Sequence, residues 1–326
     1  MNYLIMYITL ISSFGAQALI KVNTLNGPAV ITMDRAQYAE LQYIVLSPDV
    51  SYEAKNETIS IKNEVDSMSA IGASVVTSLG SQVSVGILLS QTVSKAKSTT
   101  ASGNFSLENG IESTSQYTSL FLGYDLPKAS LTMSFENNSD KSSYTSDDSP
   151  PIDSISYTRT GLDFIYKHSD ILSLGVNWAA PVRIEEDSNS IVLARTLALY
   201  TIYKISNNSS FGLKIESIAE SQYSDDAEDY TPITIMFEGR VTEKFVGSAN
   251  VTYKEANNSN DEGISASTLS SVTLELSGEY QVHESVDLSF ALAQVISEKV
   301  SKTTQGVEVN VRNDFTGYLL SIAYNF

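Results

Sequence analysis

Apolar and polar residues alternate along most of this chain with the period of two that an extended strand requires. Val83, Val85, Ile87 and Leu89 share a face opposite Ser84, Gly86, Leu88 and Ser90. Leu131, Met133 and Phe135 oppose Ser130, Thr132, Ser134 and Glu136, and Leu172, Leu174, Val176 and Trp178 oppose Ser173, Gly175, Asn177 and Ala179. The pattern returns at Ile233–Glu238, Val272–Ser277 and Asp287–Ala293. In the last run, Tyr318, Leu320, Ile322, Tyr324 and Phe326 form one face, with Gly317, Leu319, Ser321, Ala323 and Asn325 on the other. Helical spacing fits none of these runs, so the chain is predicted to be all-β.

The connections between runs alternate in length. Short ones lie near Leu79–Ser81, Leu126–Lys128, His168–Asp170, Ser206–Ser209, Thr242–Lys244 and His283–Ser285. Long polar ones are expected near Lys97–Ile111, Lys141–Asp153, Glu185–Asn189, Gln222–Tyr230, Ala256–Ser265 and Val300–Val307. Tight turns on one rim and long loops on the other, with greasy-outside and small-or-polar-inside strands, predict a transmembrane antiparallel β-barrel. Counting back from Phe326 gives about twelve strands from Gln82 onward, and Met68–Ser78 supplies one more. Barrels of this kind have even strand numbers, so a further strand is expected near Ala39–Tyr52, making about fourteen. A count of about twelve holds instead if the first two runs pair elsewhere.

The amino terminus adds a destination. Residues 1–18 carry no charged side chain, and Leu4–Ile11 is an apolar run of only about eight residues followed by Ser12, Ser13, Gly15 and the small-residue pattern Ala16-Gln17-Ala18. This reads as a secretory signal peptide, too short to span a bilayer, although its start lacks Lys or Arg. Residues 19–36 are expected to form a short amino-terminal hatch, and residues 37–326 the barrel. The strand ending on Phe326 resembles the carboxy-terminal targeting strand of bacterial outer-membrane barrels, so Tyr318, Leu320, Ile322, Tyr324 and Phe326 are candidate membrane-insertion residues. The expected location is the outer membrane of a diderm bacterium, with lipids and the barrel-assembly machinery as partners and a monomer as the expected state.

Composition narrows the chemistry. Mean hydropathy over the 326 residues is −0.06, as expected when apolar residues are hidden in alternation. No cysteine is present, which excludes disulfides, thiolate nucleophiles and cysteine metal sites. A net charge of −18 argues against nucleic acid or anionic lipid as a partner. Only His168 and His283 could act as imidazole bases, and both fall in expected short turns, so no catalytic group is assigned and the protein is read as a non-enzyme. The acidic groups at Asp147-Asp148, Glu185–Asp187, Asp225–Asp229 and Asp261-Glu262 lack EF-hand spacing and read as solvated loops; no metal or cofactor is expected. The Asn-Asn-Ser stretches at 137–139, 207–209 and 257–259 read as turn and loop residues. Glu136, Glu238, Arg240, Lys254, Glu275, Glu279 and Asp287 are expected to face the lumen.

The segment from Gly27 to Ser51 resembles the hatch-to-first-strand junction of the outer-membrane long-chain fatty-acid transporter family, which includes aromatic-hydrocarbon channels. Pro28 and Ala29 match its Asn-Pro-Ala motif, with Gly27 in place of the asparagine and Asn26 one residue earlier; Pro48, Asp49 and Val50 match its following Pro-Asp-Val loop. The resemblance implies a fourteen-stranded barrel with an amino-terminal plug, passive uptake of hydrophobic small molecules and a lateral opening in the wall beside a kinked early strand. Asn26, Gly27, Pro28 and Ala29 become candidate substrate-binding hatch residues, and Gly86 a candidate kink. The short hatch and the charged lumen residues leave a second reading open, a non-specific diffusion porin or a structural barrel.

Overall fold

The computed structural model describes residues 37–55, 59–102, 105–144, 155–186, 189–193, 195–219, 229–257, 268–297, 300–304 and 307–326. The expected signal peptide, the hatch and its residues Asn26, Gly27, Pro28 and Ala29 lie outside this range.

All regular structure among the described residues is strand. The first half holds β1 (Tyr38–Lys55), β2 (Ile59–Ser78), β3 (Val83–Ser102), β4 (Phe105–Leu126), β5 (Ala129–Tyr144), β6 (Ile155–Lys167) and β7 (Leu172–Ala179). A separate hairpin of β8 (Val182–Glu186) and β9 (Asn189–Leu193) follows. The second half holds β10 (Arg195–Ser206), β11 (Ser209–Ala219), β12 (Asp229–Tyr230), β13 (Ile233–Thr242), β14 (Phe245–Asn257), β15 (Thr268–His283), β16 (Val286–Ser297), β17 (Val300–Thr304) and β18 (Val307–Asn325). β12 and β13 lie either side of Thr231 and Pro232 and share the neighbours β11 and β14, so together they make one wall strand. Among the described residues, β17 pairs only with β18. Fourteen wall strands result, which settles the count against twelve.

The ring closes through β1 and β18, from Tyr38↔Asn325 to Lys55↔Glu308. Closure removes the sheet edge and satisfies backbone groups between strands, the condition for crossing hydrocarbon. The outward faces form an exposed apolar belt, with Leu120 and Phe290 at 50 % and Leu320 at 61 % exposure, that a bilayer would cover. Tyr318, Ile322, Tyr324 and Phe326 stand on the same outer surface, as their parity predicted.

The short connections fall where expected, on one rim. Gly80 supplies the positive φ of 92° that turns β2 into β3, where a side chain would be strained. On the same rim Phe326 N donates to Gln37 O at 3.1 Å. Three expected loops differ. β3 and β4 pair without a shift from Val83↔Tyr124 to Ser102↔Phe105, so Lys97–Ile111 is a hairpin prolonging the wall rather than a loop. The Val300–Val307 stretch is likewise mostly ladder, with Val300↔Val311 through Thr304↔Val307. Their Ser, Thr and Lys side chains signal water, but water contact does not prevent backbone pairing. Pro48, Asp49 and Val50, which the family resemblance made a loop and which the strand expected near Ala39–Tyr52 also covers, lie inside β1. There the ladder to β18 runs unbroken, whereas the ladder to β2 breaks between Leu46 and Ser51. The break spans the one residue without an N–H to give.

Candidate functional site

The lumen has an apolar side. Ile44 and Leu46 of β1, Met68 and Ala70 of β2, Ala291 and Ala293 of β16, and Leu319 of β18 form one buried cluster, with Leu88 of β3 packed against it. Register makes the patch continuous: Ile44 pairs with Leu319 and with Ala70, Leu46 pairs with Met68, and Ala291 pairs with Leu319. Alternation alone assigned these inward positions to small or polar groups. The missed signal is that alternation fails there: Ile44-Val45-Leu46, Ile87-Leu88-Leu89 and Tyr318-Leu319-Leu320 are continuous apolar runs, as expected for strands apolar on both faces.

This patch ends where the β1–β2 ladder shifts register. Leu46↔Met68 is the last β1–β2 pair before Pro48, and pairing resumes only at Ser51↔Glu64. β2 is also irregular toward β3, where Asp66 is skipped between Val65↔Ala96 and Ser67↔Lys95. Next to the shift, Val45 pairs with Tyr318 on the outer face, so the irregularity sits at the loop-side edge of the apolar belt. Gly86, the sequence candidate for a kink, is not at a break. It pairs with both Val76 and Phe121 in continuous ladders. A Cβ on Gly86 would stand 2.1 Å from the Phe121 ring, so its bareness makes room for an inward aromatic ring.

The remaining lumen wall is mostly polar, with a second, smaller apolar cluster of Ile165 and Tyr200 against which Ile202 packs. Tyr200 Oη donates to Asp163 Oδ1 at 2.7 Å, with its ring lying over Gly175. Asn138 Nδ2 donates to Asp140 Oδ2 at 2.7 Å and accepts from Ser115 Oγ at 3.0 Å. Arg159 Nε donates to Ala180 O at 2.9 Å. Glu136, Glu238, Arg240, Lys254, Glu275, Glu279 and Asp287 all fall on lumen-facing positions, as expected from parity. Asp287 accepts from Asn325 Nδ2 at 2.6 Å, and Glu275 accepts from Asn250 Nδ2 at 2.8 Å. The two histidines are on the turn rim. His168 tilts against Tyr166 with ring centroids 6.3 Å apart, and His283 Nδ1 accepts from Ser285 N at 3.4 Å within its own turn.

A closed barrel with an apolar outer belt and a partly apolar lumen defines a membrane-spanning channel fold. No known family profile matches the sequence, and no curated protein does. Solved structures do. A FadL homologue of Pseudomonas aeruginosa is similar with a TM-score of 0.65 at 11% identity, covering 92% of this chain and 93% of the other. The toluene transporter TodX of P. putida gives a TM-score of 0.66 at 12% identity over 92% of both chains. A TodX variant, a monoaromatic hydrocarbon channel, gives 0.67 at 12% identity over 93% of this chain and 94% of that one. The chain therefore has the fold of FadL-like outer-membrane channels, the architecture its amino-terminal junction resembled.

Proposed function

We propose that the protein is an outer-membrane channel for passive uptake of hydrophobic small molecules, such as long-chain fatty acids or aromatic hydrocarbons. The observation that carries the reading is the continuous apolar lumen face from Ala291 to Leu88, ending where the β1–β2 register shifts between Leu46 and Ser51. An apolar solute loses nothing on leaving water for such a surface, and local parting of β1 from β2 at that irregularity would give it a way sideways into the bilayer. The lateral opening then belongs between β1 and β2 rather than at Gly86. The likeness to channels described as carrying toluene and other monoaromatic hydrocarbons supports the same reading.

In this account residues 1–18 direct export, and residues 19–36, with Asn26, Gly27, Pro28 and Ala29, form the hatch that meters the apolar face. The protein acts as a monomer after insertion by the barrel-assembly machinery. Uptake of a radiolabelled fatty acid and of labelled toluene should change on deletion of residues 19–36. If intact cells take up neither compound faster than cells lacking the protein, the proposal fails. The polar wall around Glu238 and Glu275 favours a second reading, non-specific diffusion; permeation of sugars into proteoliposomes would support that instead.

A further inference from the structure

Away from the apolar face, the lumen wall contains a recess whose polar groups ask for a guest. It is lined by Ile202, Ser210, Met236, Glu238, Ser248 and Asn250, and has a volume of about 20 Å³, room for one water-sized group. Asn250 is 4 % exposed. Its Nδ2 donates to Glu275 Oε1 at 2.8 Å, which fixes the amide orientation and turns Oδ1 away from Glu275. That Oδ1 accepts no hydrogen bond from another protein group. A buried acceptor without a donor is costly, so the recess suits a guest that donates.

The lining identifies the donor. The lining residues carry a carboxylate on Glu238, an amide oxygen on Asn250 and a hydroxyl on Ser210, while the Ser248 hydroxyl is already hydrogen-bonded to that of Ser277. An ammonium group is about the size of water and has three N–H donors to place on three acceptors. A metal ion fits less well: among the described residues no group of three or more His, Cys, Asp or Glu side chains is arranged to hold one. The remaining walls are apolar. Met236 lies over Gly212, where a Cβ would come within 2.7 Å of Met236 Cε, and Ile202 pairs with the same glycine. Glu40, Glu275, Glu279 and Asp287 share the lumen surface with the cations Lys214, Arg240 and Lys254, which leaves a small excess of negative charge beside Glu238.

We propose that this recess binds the ammonium head of an amphiphilic amine whose alkyl chain lies along the lumen. The site would select among the cargo of the channel, and so rests on the transport reading above. Calorimetric titration of the full-length barrel in detergent tests it, with decylammonium, decanol, decanoate and calcium as probes. Decylammonium is expected to bind at least about tenfold more tightly than decanol or decanoate. Asn250→Leu and Glu238→Gln should each reduce that binding by about tenfold or more, with folding checked by heat-modifiable gel mobility. Equal binding of decanol or decanoate, displacement of decylammonium by calcium, or unchanged binding in both folded variants would overturn the proposal. Uptake of neutral toluene separates the two claims. It should be normal in both variants; if the wild type takes up neither toluene nor a long-chain fatty acid yet binds decylammonium through Asn250, the transport reading fails and the site stands.

Discussion

Substituting Gly86 by alanine separates a packing glycine from a hinge. The added Cβ would lie 2.1 Å from Phe121 Cε2, 2.2 Å from Cζ and 2.9 Å from Cδ2. Carbon atoms rest about 3.5–4.0 Å apart, so the ring must swing away or β3 and β4 must part. Overpacking of this kind costs about 1–3 kcal/mol. Part of that cost should vanish when Phe121 is shortened, because the clash needs both groups. The cycle of Gly86→Ala, Phe121→Leu and the double substitution should therefore show a coupling of about 0.5–3 kcal/mol. Urea unfolding of the refolded barrel in lipid vesicles measures it, with Trp178, the single tryptophan, as fluorescent reporter. A cost below about 0.5 kcal/mol for Gly86→Ala with additive behaviour would refute the packing argument. If the variant instead folds fully but takes up hydrocarbon no faster than cells lacking the protein, Gly86 is a functional hinge and the assignment of the opening to β1–β2 is wrong.

Three further outcomes follow from named contacts. Tyr200→Phe removes the donor to Asp163 Oδ1 and should cost about 1–3 kcal/mol in the same unfolding assay, since the carboxylate stays buried. Leu320→Arg places a charge on the lipid face between Tyr318 and Ile322; a loss of about 2–4 kcal/mol and a lower yield of heat-modifiable protein in membranes are expected. Pro48→Ala restores an N–H at the wall break; stability should rise by about 0.5–1.5 kcal/mol while hydrocarbon uptake slows, and faster uptake would argue against a lateral route there.

The wall was legible in the sequence because its signal is local. Tyr318–Phe326 states its own parity, the Asn207-Asn208 and Glu243-Lys244 turns punctuate neighbouring strands, and the even-number rule supplied β1. Polarity misled where it was taken for irregularity: Lys97–Ile111 is polar because it stands in water, and its backbone still pairs. The apolar lumen face was hidden for the opposite reason. Leu46, Leu88 and Leu319 lie within apolar runs, so a two-face pattern credits their neighbours and overlooks them. The β1–β2 irregularity has a local signal in Pro48, but its place beside the apolar face depends on register; the recess has none, since register alone brings Ser210, Glu238 and Asn250 together from three strands.

The central claim is that the apolar lumen face carries hydrophobic solutes. Uptake of labelled toluene and of a labelled long-chain fatty acid should be compared in cells with the wild-type protein, with the Ile44→Ser, Leu319→Ser double variant, and without the protein. Uptake well above background is expected for the wild type with at least one of the two compounds. A fall toward background is expected in the double variant at equal amounts of folded barrel. Wild-type uptake of both compounds equal to that of cells lacking the protein would contradict it, as would a folded double variant that transports as well as the wild type.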